Sequence, residues 1–322
     1  MSTPGGAAGA AGAPGSPSLG ELTPDQALHH LRLLFTRRPD GLLQGDHSAL
    51  VPGPGGEPDE SRHYTPGVDD VRRMDWNATA RTTVPHVRTT LADRELTTWI
   101  VLDASASMDF GTGRMEKRDL AVGAAAAVAF LTERAGNRLG ALLVRPDGLQ
   151  RLPARGGRRH LMRVLRTALE RPRVPAGPQA HTLAEGVSAL RRTERRRGLV
   201  AVVSDFLEPG WEAPLRALAR RQQVLAVEVV DPRELVLPAV GLLTVVDPES
   251  GRRREVPTHS RRVRERYAAA AAGQREEIGR ALRTAGAARL RLRTDRDWVR
   301  DIARYAAAQR AAARRPGTGG AA

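Results

Sequence analysis

Four short runs of apolar residues, separated by stretches with helical periodicity, constrain the fold of this chain more than any other feature of its sequence. They predict β-strands at 97–103, 138–145, 199–204 and 223–230. The last two runs are apolar at almost every position, as in strands that helices cover on both faces. Strands that alternate with helices in this way predict a doubly wound, mostly parallel α/β sheet.

The remaining segments divide between helices and short strands. Apolar residues at helical spacing predict helices at 23–36, 116–135, 157–170, 182–195, 212–221, 259–285 and 295–313. Short apolar runs and turn residues predict strands at 84–90 and 288–293, an antiparallel edge near 149–152 and a hairpin at 241–256. Residues 39–63 are rich in Gly and Pro and indicate loops with short strands at most.

The composition of the chain indicates its domain organisation. The ends of the chain, 1–20 and 314–322, consist mainly of small residues, Pro and Arg without periodicity, and we expect both to be disordered tails. Between them, the pattern predicts an N-terminal helix and a small β-containing subdomain at 21–95. The α/β domain, with helices on both faces of its sheet, is expected at 96–313.

Several function classes are disfavoured by composition. The chain has no cysteine, which excludes disulfides, thiolate metal sites and a cysteine nucleophile. It shows no apolar run of membrane-spanning length and no secretion signal at its start, so a cytoplasmic location is expected. A net charge of +15 favours nucleic acid as a partner, but aromatic residues make up only 3% of the chain and base stacking requires them. We expect the arginine clusters at 195–197 and 252–254 to be solvated surface.

A carboxylate and two hydroxyls follow the first buried strand. Asp103, Ser105 and Ser107 stand at alternate positions, so an extended chain would direct their oxygens to one side. Hard oxygen ligands with a single charge suit Mg²⁺, or Mn²⁺ or Ca²⁺, better than Zn²⁺. Other ligands should come from the same edge of the sheet, where Asp205 ends a second strand and Thr182 begins a helix.

This set of residues resembles the metal-ion-dependent adhesion site of von Willebrand factor type A domains. The resemblance implies that Asp103, Ser105, Ser107 and Thr182 bind Mg²⁺ directly or through water, with Asp205 either direct or one water removed. Simpler interpretations remain open. Asp103 and its serines could satisfy backbone groups at a helix entry, Asp205 could be a loop acid, and Thr182 could serve only as a helix N-cap.

A second signature lies upstream, at residues 64–81. Its aromatic and charged residues resemble the hallmark of the domain-of-unknown-function-58 family, MoxR-associated proteins with a von Willebrand type A domain: Tyr64, Asp70, Arg72, Asp75, Trp76 and Arg81. We expect a structural clasp in which Trp76 packs against the α/β domain and Asp75 pairs with Arg72 or Arg81. A partner-docking surface is the alternative.

The only lysine of the chain, Lys117, lies near the start of the helix that follows the predicted metal loop. A compact ammonium at this position could pair with Asp109 or Glu116. Compositional drift towards arginine elsewhere in the chain is the alternative explanation.

The preferred function is a non-enzymatic adaptor in which Mg²⁺ binds an acidic group of a partner protein. The family resemblance adds a MoxR-type AAA+ ATPase as partner. The chain has no glycine-rich phosphate loop, so we do not expect it to hydrolyse ATP. The alternative is a Mg²⁺-dependent phosphatase with Asp103 as nucleophile. Position 105 is Ser, where such sites usually carry a second acid, and this disfavours catalysis. A nucleic-acid binder is the least favoured function.

Overall fold

A computed structural model describes residues 22–36, 61–65, 74, 76–88, 96–133, 136–173, 177, 180–248 and 250–313. Its helices are α1 (Pro24–Thr36), α2 (Trp76–Thr82), α3 (Lys117–Thr132), α4 (Arg158–Leu169), α5 (Leu183–Thr193), α6 (Glu212–Ala219), α7 (Arg261–Thr284) and α8 (Trp298–Ala313). Its strands are β1 (Ser61–His63), β2 (His86–Arg88), β3 (Thr97–Asp103), β4 (Arg138–Arg145), β5 (Gly148–Arg155), β6 (Leu199–Ser204), β7 (Gln223–Val230), β8 (Leu242–Val246), β9 (Arg253–Pro257) and β10 (Ala288–Arg293).

The main sheet has six strands in the order β10-β7-β6-β3-β4-β5. All neighbours are parallel except β4 and β5, which pair antiparallel. The chain leaves β3 for β4 on one side and later returns to β6 on the other, so the strand order reverses between β3 and β6. In open α/β sheets, ligands bind at such a switch point, beyond the carboxyl ends of the strands. The predicted α/β class and the bounds of the five parallel strands are confirmed.

Residues of the four central strands, β7, β6, β3 and β4, alternate between two hydrophobic cores, one on each face of the sheet. Ile100 and Leu102 of β3 face the larger core with α1, α3, α4 and α8. Trp99 and Val101 face the second core with α5, α6 and α7. Successive side chains of a strand point to opposite faces, so a strand covered on both must be apolar throughout. This explains why the runs that predicted the strands are nearly continuous.

Helix α1 is part of the larger core. Ala27, Leu28 and Leu31 are buried in the cluster that also contains residues of α3 and α4. The N-terminal helix, which sequence grouped with the small subdomain, therefore packs against the α/β domain. The predicted tails at 1–20 and 314–322 lie outside the described residues.

The upstream signature differs in part from its prediction. β1 and β2 form a two-stranded antiparallel sheet, and the backbone amide of Tyr64 donates to the carbonyl of Pro85. A short helix, α2, begins at Trp76 where none was predicted, and Arg81 on it is exposed. The side chain of Trp76 is 67% exposed, so the prediction that it packs against the α/β domain is wrong. Asp70, Arg72 and Asp75, with the ion pair predicted for them, lie outside the described residues.

The predicted hairpin is present as β8 and β9, which form a separate antiparallel pair. Leu242 and Val246 on β8 are exposed. Among the helices that the structure describes, none is both long enough and apolar enough to cross a membrane.

Candidate metal centre

The ends of β3 and β6 lie side by side at the switch point. Leu102 pairs with Val203, which places Asp103 beside Ser204. The Ser204 hydroxyl donates to Oδ2 of Asp103 at 2.6 Å and accepts from the backbone amide of Phe206 at 2.9 Å. Sequence reasoning passed over Ser204, because a serine at the end of an apolar run gives no local signal of the strand that will lie next to it.

The segment after Asp103 turns back on itself immediately. The amide of Ser105 donates to Oδ1 of Asp103 at 2.9 Å, and a single turn of 3-10 helix follows at Ala106–Asp109. The hydroxyl oxygens of Ser105 and Ser107 come within 3.1 Å of each other, and both side chains are buried. A turn brings the three residues close together, whereas the sequence argument assumed an extended strand.

Asp205 lies at the same edge of the sheet and is buried. Its Oδ1 accepts from the amide of Leu207 at 3.1 Å. The chain turns sharply at Phe206, which has a left-handed backbone with φ of 56°, and the ring nitrogen of Trp211 donates to the Phe206 carbonyl. A non-glycine residue in this conformation needs support from its surroundings. The loop that presents Asp205 is therefore well defined.

Lys117 is the cation at this site. Its side chain is fully buried, and Nζ lies 2.8 Å from Oδ2 of Asp205 and also bonds to Glu234. The two acids that were predicted to pair with Lys117 contact arginines in its place. Asp109 lies 3.0 Å from Arg118, and Glu116 lies 2.8 Å from Arg173. The prediction that Lys117 pairs with Asp109 or Glu116 is therefore wrong. Its partners lie far along the chain and reach it only because β6 and β7 are adjacent.

Thr182 is the N-cap of α5. Its hydroxyl accepts from the amide of Glu185 at 3.2 Å, and the Glu185 carboxylate accepts in return from the amide of Thr182, which forms a capping box. The amide of the next residue, Leu183, donates to Glu208 at 3.0 Å. Since Glu208 belongs to the loop that follows Asp205, this bond holds Thr182 at the same edge of the sheet. The capping role is established, and metal ligation by Thr182 stays a prediction.

A family model described as "protein of unknown function DUF58" matches residues 60–277. The chain belongs to the DUF58 family. An uncharacterized protein of Mycobacterium tuberculosis is 54% identical over 285 residues, which cover 88% of this chain and 89% of the relative. An uncharacterized protein of Mycobacterium avium is 45% identical over 163 residues, which cover 50% of this chain and 95% of that one.

Two solved structures are similar to this DUF58 protein at low sequence identity. For BatB from Bacteroides thetaiotaomicron, the TM-score is 0.42 and the sequence identity is 15%. The matched region covers 67% of this chain and 99% of the BatB chain. For the VWA domain of SpRpn10, the TM-score is 0.37 and the sequence identity is 9%. The matched region covers 65% of this chain and 93% of the SpRpn10 chain. The fold of the DUF58 chain is established by its own strand order and register.

The two buried acids of the DUF58 site have opposite electrostatic environments. Burial and the nearby charge of Asp205 raise the pKa of Asp103 above its usual value, although hydrogen bonds from Ser204 and Ser105 oppose the shift. Burial alone would also raise the pKa of Asp205, but Lys117 outweighs burial and holds that pKa below its usual value. Within the described part of the chain, no ammonium or guanidinium contacts Asp103. Asp103 is thus a buried carboxylate whose hydrogen-bond partners are all neutral.

A buried arginine lies near this acid. Arg171, just beyond α4, has its nearest carboxylate contact at 3.9 Å, to Asp109, and among the residues that the structure describes neither of its terminal nitrogens has a hydrogen-bond partner. Burial, together with the charge of Arg118, lowers the pKa of Arg171 to about 10, while Asp109, Asp103 and Asp119 act in the opposite direction. Sequence reasoning did not single out Arg171, because it stands among many arginines without a distinguishing neighbour.

The DUF58 residues fit a hard divalent cation. A buried carboxylate without a cationic partner is costly, and a bound cation would balance its charge. The hydroxyls of Ser105 and Ser107, which are hard oxygen donors, lie beside it. No group of three or more His, Cys, Asp or Glu side chains suited to a metal occurs among the described residues, so a zinc-type ligand set is not found there.

Proposed function

We propose that this DUF58 protein is a non-enzymatic, metal-dependent protein-interaction module. Mg²⁺ is held at the switch point of the sheet by Asp103, Ser105 and Ser107, with Thr182 and with Asp205 directly or through water. An acidic group of a partner protein then binds to the metal. The module works with a MoxR-type AAA+ ATPase in chaperone-like assembly or maturation.

One observation carries this proposal. Asp103 is 4% exposed, lies at the switch point of the sheet and has only neutral hydrogen-bond partners, with two serine hydroxyls next to it. A site built only for stability would be expected to pair such a carboxylate with a cation, as this chain does for Asp205. Leaving Asp103 unpaired favours a role in binding a cation from solution.

The chemistry of the site favours an acidic partner. A divalent cation, when bound, supplies a positive centre that attracts a carboxylate. The chain adds positive charge close by, since Arg118 and Arg171 both lie near Asp109 at the same edge of the sheet. A partner with a basic side chain would be repelled by these guanidinium groups. The ATPase partner is supported only by the family resemblance of the 64–81 signature.

Calorimetric titration of Mg²⁺ into the full chain tests the metal. We expect the wild type to bind with heat, Asp103→Ala to lose binding and the control Asp147→Ala to bind as the wild type does. Asp147 is an exposed acid paired with Arg145, so the control loses the same negative charge from an exposed side chain. A wild type that binds no Mg²⁺, Mn²⁺ or Ca²⁺ contradicts the proposal.

A second assay separates the adaptor from an enzyme. The same variants are incubated with p-nitrophenyl phosphate in Mg²⁺, and we expect no turnover above the buffer rate. Metal-dependent turnover that Asp103→Ala abolishes would establish the phosphatase alternative in place of the adaptor. For the partner, a purified MoxR-type ATPase from the same organism should bind the wild type in Mg²⁺ and fail to bind Asp103→Ala.

A further inference from the structure

Lys117 is a buried lysine at the first position of α3, in a chain whose other basic residues are all arginine or histidine. Fully buried lysines are rare and need charged partners. Here Nζ bonds to Asp205 and to Glu234, which lie in the segments that follow two different strands, β6 and β7. The ammonium therefore occupies the face of Asp205 that would otherwise be free for a cation from solution.

The charges around Lys117 are balanced in pairs. Arg275 of α7 donates to Oε2 of Glu234 at 2.8 Å and to the backbone carbonyl of Asp205 at 2.8 Å. Lys117 and Arg275 thus match the two negative charges of Asp205 and Glu234. The neighbouring acid Glu228 also contacts Arg275, at 3.4 Å, and in addition has arginines of its own, Arg289 at 2.8 Å and Arg291 at 2.9 Å. Asp103 is outside this arrangement.

We propose that Lys117 is a fixed counter-cation that keeps the Asp205 carboxylate from binding the metal directly, so that Asp103 is the only charged ligand that the described residues supply. This inference rests on the proposed function. The consequence is a lower affinity of the site for the metal and a larger residual positive charge on the bound metal. A metal with one negative ligand attracts a carboxylate from a partner more strongly than a metal with two, because less of its charge is neutralised.

A purely structural role for Lys117 predicts something different. If Lys117 only ties α3 to the sheet, removing it together with one of its acids should change stability and leave the affinity for Mg²⁺ unchanged. If Lys117 withholds Asp205 from the metal, the same change should release a second carboxylate and tighten metal binding.

The test uses charge-balanced variants of the full chain. Lys117→Met alone leaves two buried acids with one cation and is expected to fold poorly, so the informative protein is Lys117→Met/Glu234→Gln, which loses one positive and one negative charge. The control, Arg151→Met/Glu194→Gln, loses the same two charges from a partly exposed pair on β5 and just beyond α5. Thermal unfolding of each protein establishes that it is folded before titration.

Calorimetry with Mg²⁺ alone then gives the dissociation constants. We expect the Lys117→Met/Glu234→Gln protein to bind Mg²⁺ at least about tenfold more tightly than the wild type, and the control to match the wild type. Adding Asp205→Asn to the double variant should remove the gain, since it removes the released carboxylate. An unchanged or weaker affinity in the folded double variant overturns the inference while wild-type binding sustains the proposed function. Absence of wild-type binding overturns both.

A carboxylate probe tests the effect on selectivity. The Mg²⁺-saturated wild type and double variant are titrated with sodium acetate and followed by NMR chemical shifts, with sodium chloride at equal ionic strength as the reference. Acetate should bind the wild type more tightly than the double variant. Equal affinities would show that the charge on Asp205 does not control which ligand the metal accepts.

Discussion

The Ser204 hydroxyl donates to Oδ2 of Asp103 across the gap between β6 and β3, at the one place in the sheet where the strand order reverses. The same oxygen accepts from the Phe206 amide, so it links Asp103 to the loop that carries Asp205. The Ser204 hydroxyl thereby connects the two segments of the candidate site, the one that begins at Asp103 and the one that begins at Asp205.

Replacing Ser204 with alanine should therefore affect both stability and metal binding. The variant leaves an acceptor on Asp103 and a donor on Phe206 unsatisfied in a buried place, which is expected to lower the free energy of unfolding by about 1–3 kcal/mol. Urea unfolding measures this, and calorimetry should show weaker Mg²⁺ binding. Ser188→Ala, a half-buried serine of α5, is the control. A Ser204→Ala protein as stable as wild type contradicts the prediction.

Asp103→Asn should stabilise the metal-free protein at neutral pH. Because the pKa of Asp103 is raised above 3.8 in the folded state, its ionised form destabilises the fold, and this penalty is lost as the pH falls through the raised pKa. The asparagine variant removes the penalty, and each kcal/mol gained raises Tm by about 2–4 °C.

Thermal unfolding in EDTA between pH 5 and 7.5 should show the largest advantage of Asp103→Asn at the upper end of this range. Added Mg²⁺ should raise Tm for the wild type and leave the variant unchanged, since ligand binding stabilises only the protein that binds it. A variant less stable than the wild type in EDTA at neutral pH would argue against an unpaired charge at this position.

Thr182→Gly separates capping from ligation. Glycine is itself an acceptable N-cap, so the substitution should cost only a few tenths of a kcal/mol in stability. It removes the hydroxyl, so a ligand role for Thr182 predicts a clear loss of Mg²⁺ affinity by calorimetry. Thr182→Ser keeps both functions and should behave as the wild type. Unchanged affinity in a stable Thr182→Gly protein would leave Thr182 as a cap only.

The position of α5 against the sheet depends on the close approach of Gly186 to β4. A Cβ at Gly186 would lie 2.3 Å from Cγ2 of Val144, so Gly186→Ala should force α5 away from the sheet and destabilise the protein. Val144→Ala removes the obstructing methyl groups. In a double-mutant cycle followed by urea unfolding, the two substitutions together should cost less than the sum of their separate effects. Strict additivity would mean that the contact does not limit the helix.

Much of the sheet could be predicted from sequence because burial on both faces requires continuous apolar runs, and these end where the loops begin. Asp103 and Asp205 stand out in the sequence for the same reason, as polar residues that terminate such runs. The partners of Lys117 could not be found, since Asp205 and Glu234 are 88 and 117 residues away and meet it only through strand order. The contacts of Glu208 with Leu183 and of Ser204 with Asp103 could not be predicted for the same reason, since they also join segments that are distant in the sequence.

The error at Trp76 has a different cause. A tryptophan among charged residues was expected to bury its ring, because large aromatic side chains usually gain most from burial. In the structure it opens the short helix α2 and is largely exposed. Sequence composition cannot distinguish an aromatic residue that packs within the chain from one that faces outward, since the difference lies in what surrounds it.

The burial of α1 in the larger core has a consequence for the segment that carries the family signature. Since α1 and β3 contribute to the same core, the stretch of chain between Thr36 and Thr97 is joined to that core at both of its ends. A protease cut within it would leave two fragments that remain associated through the core.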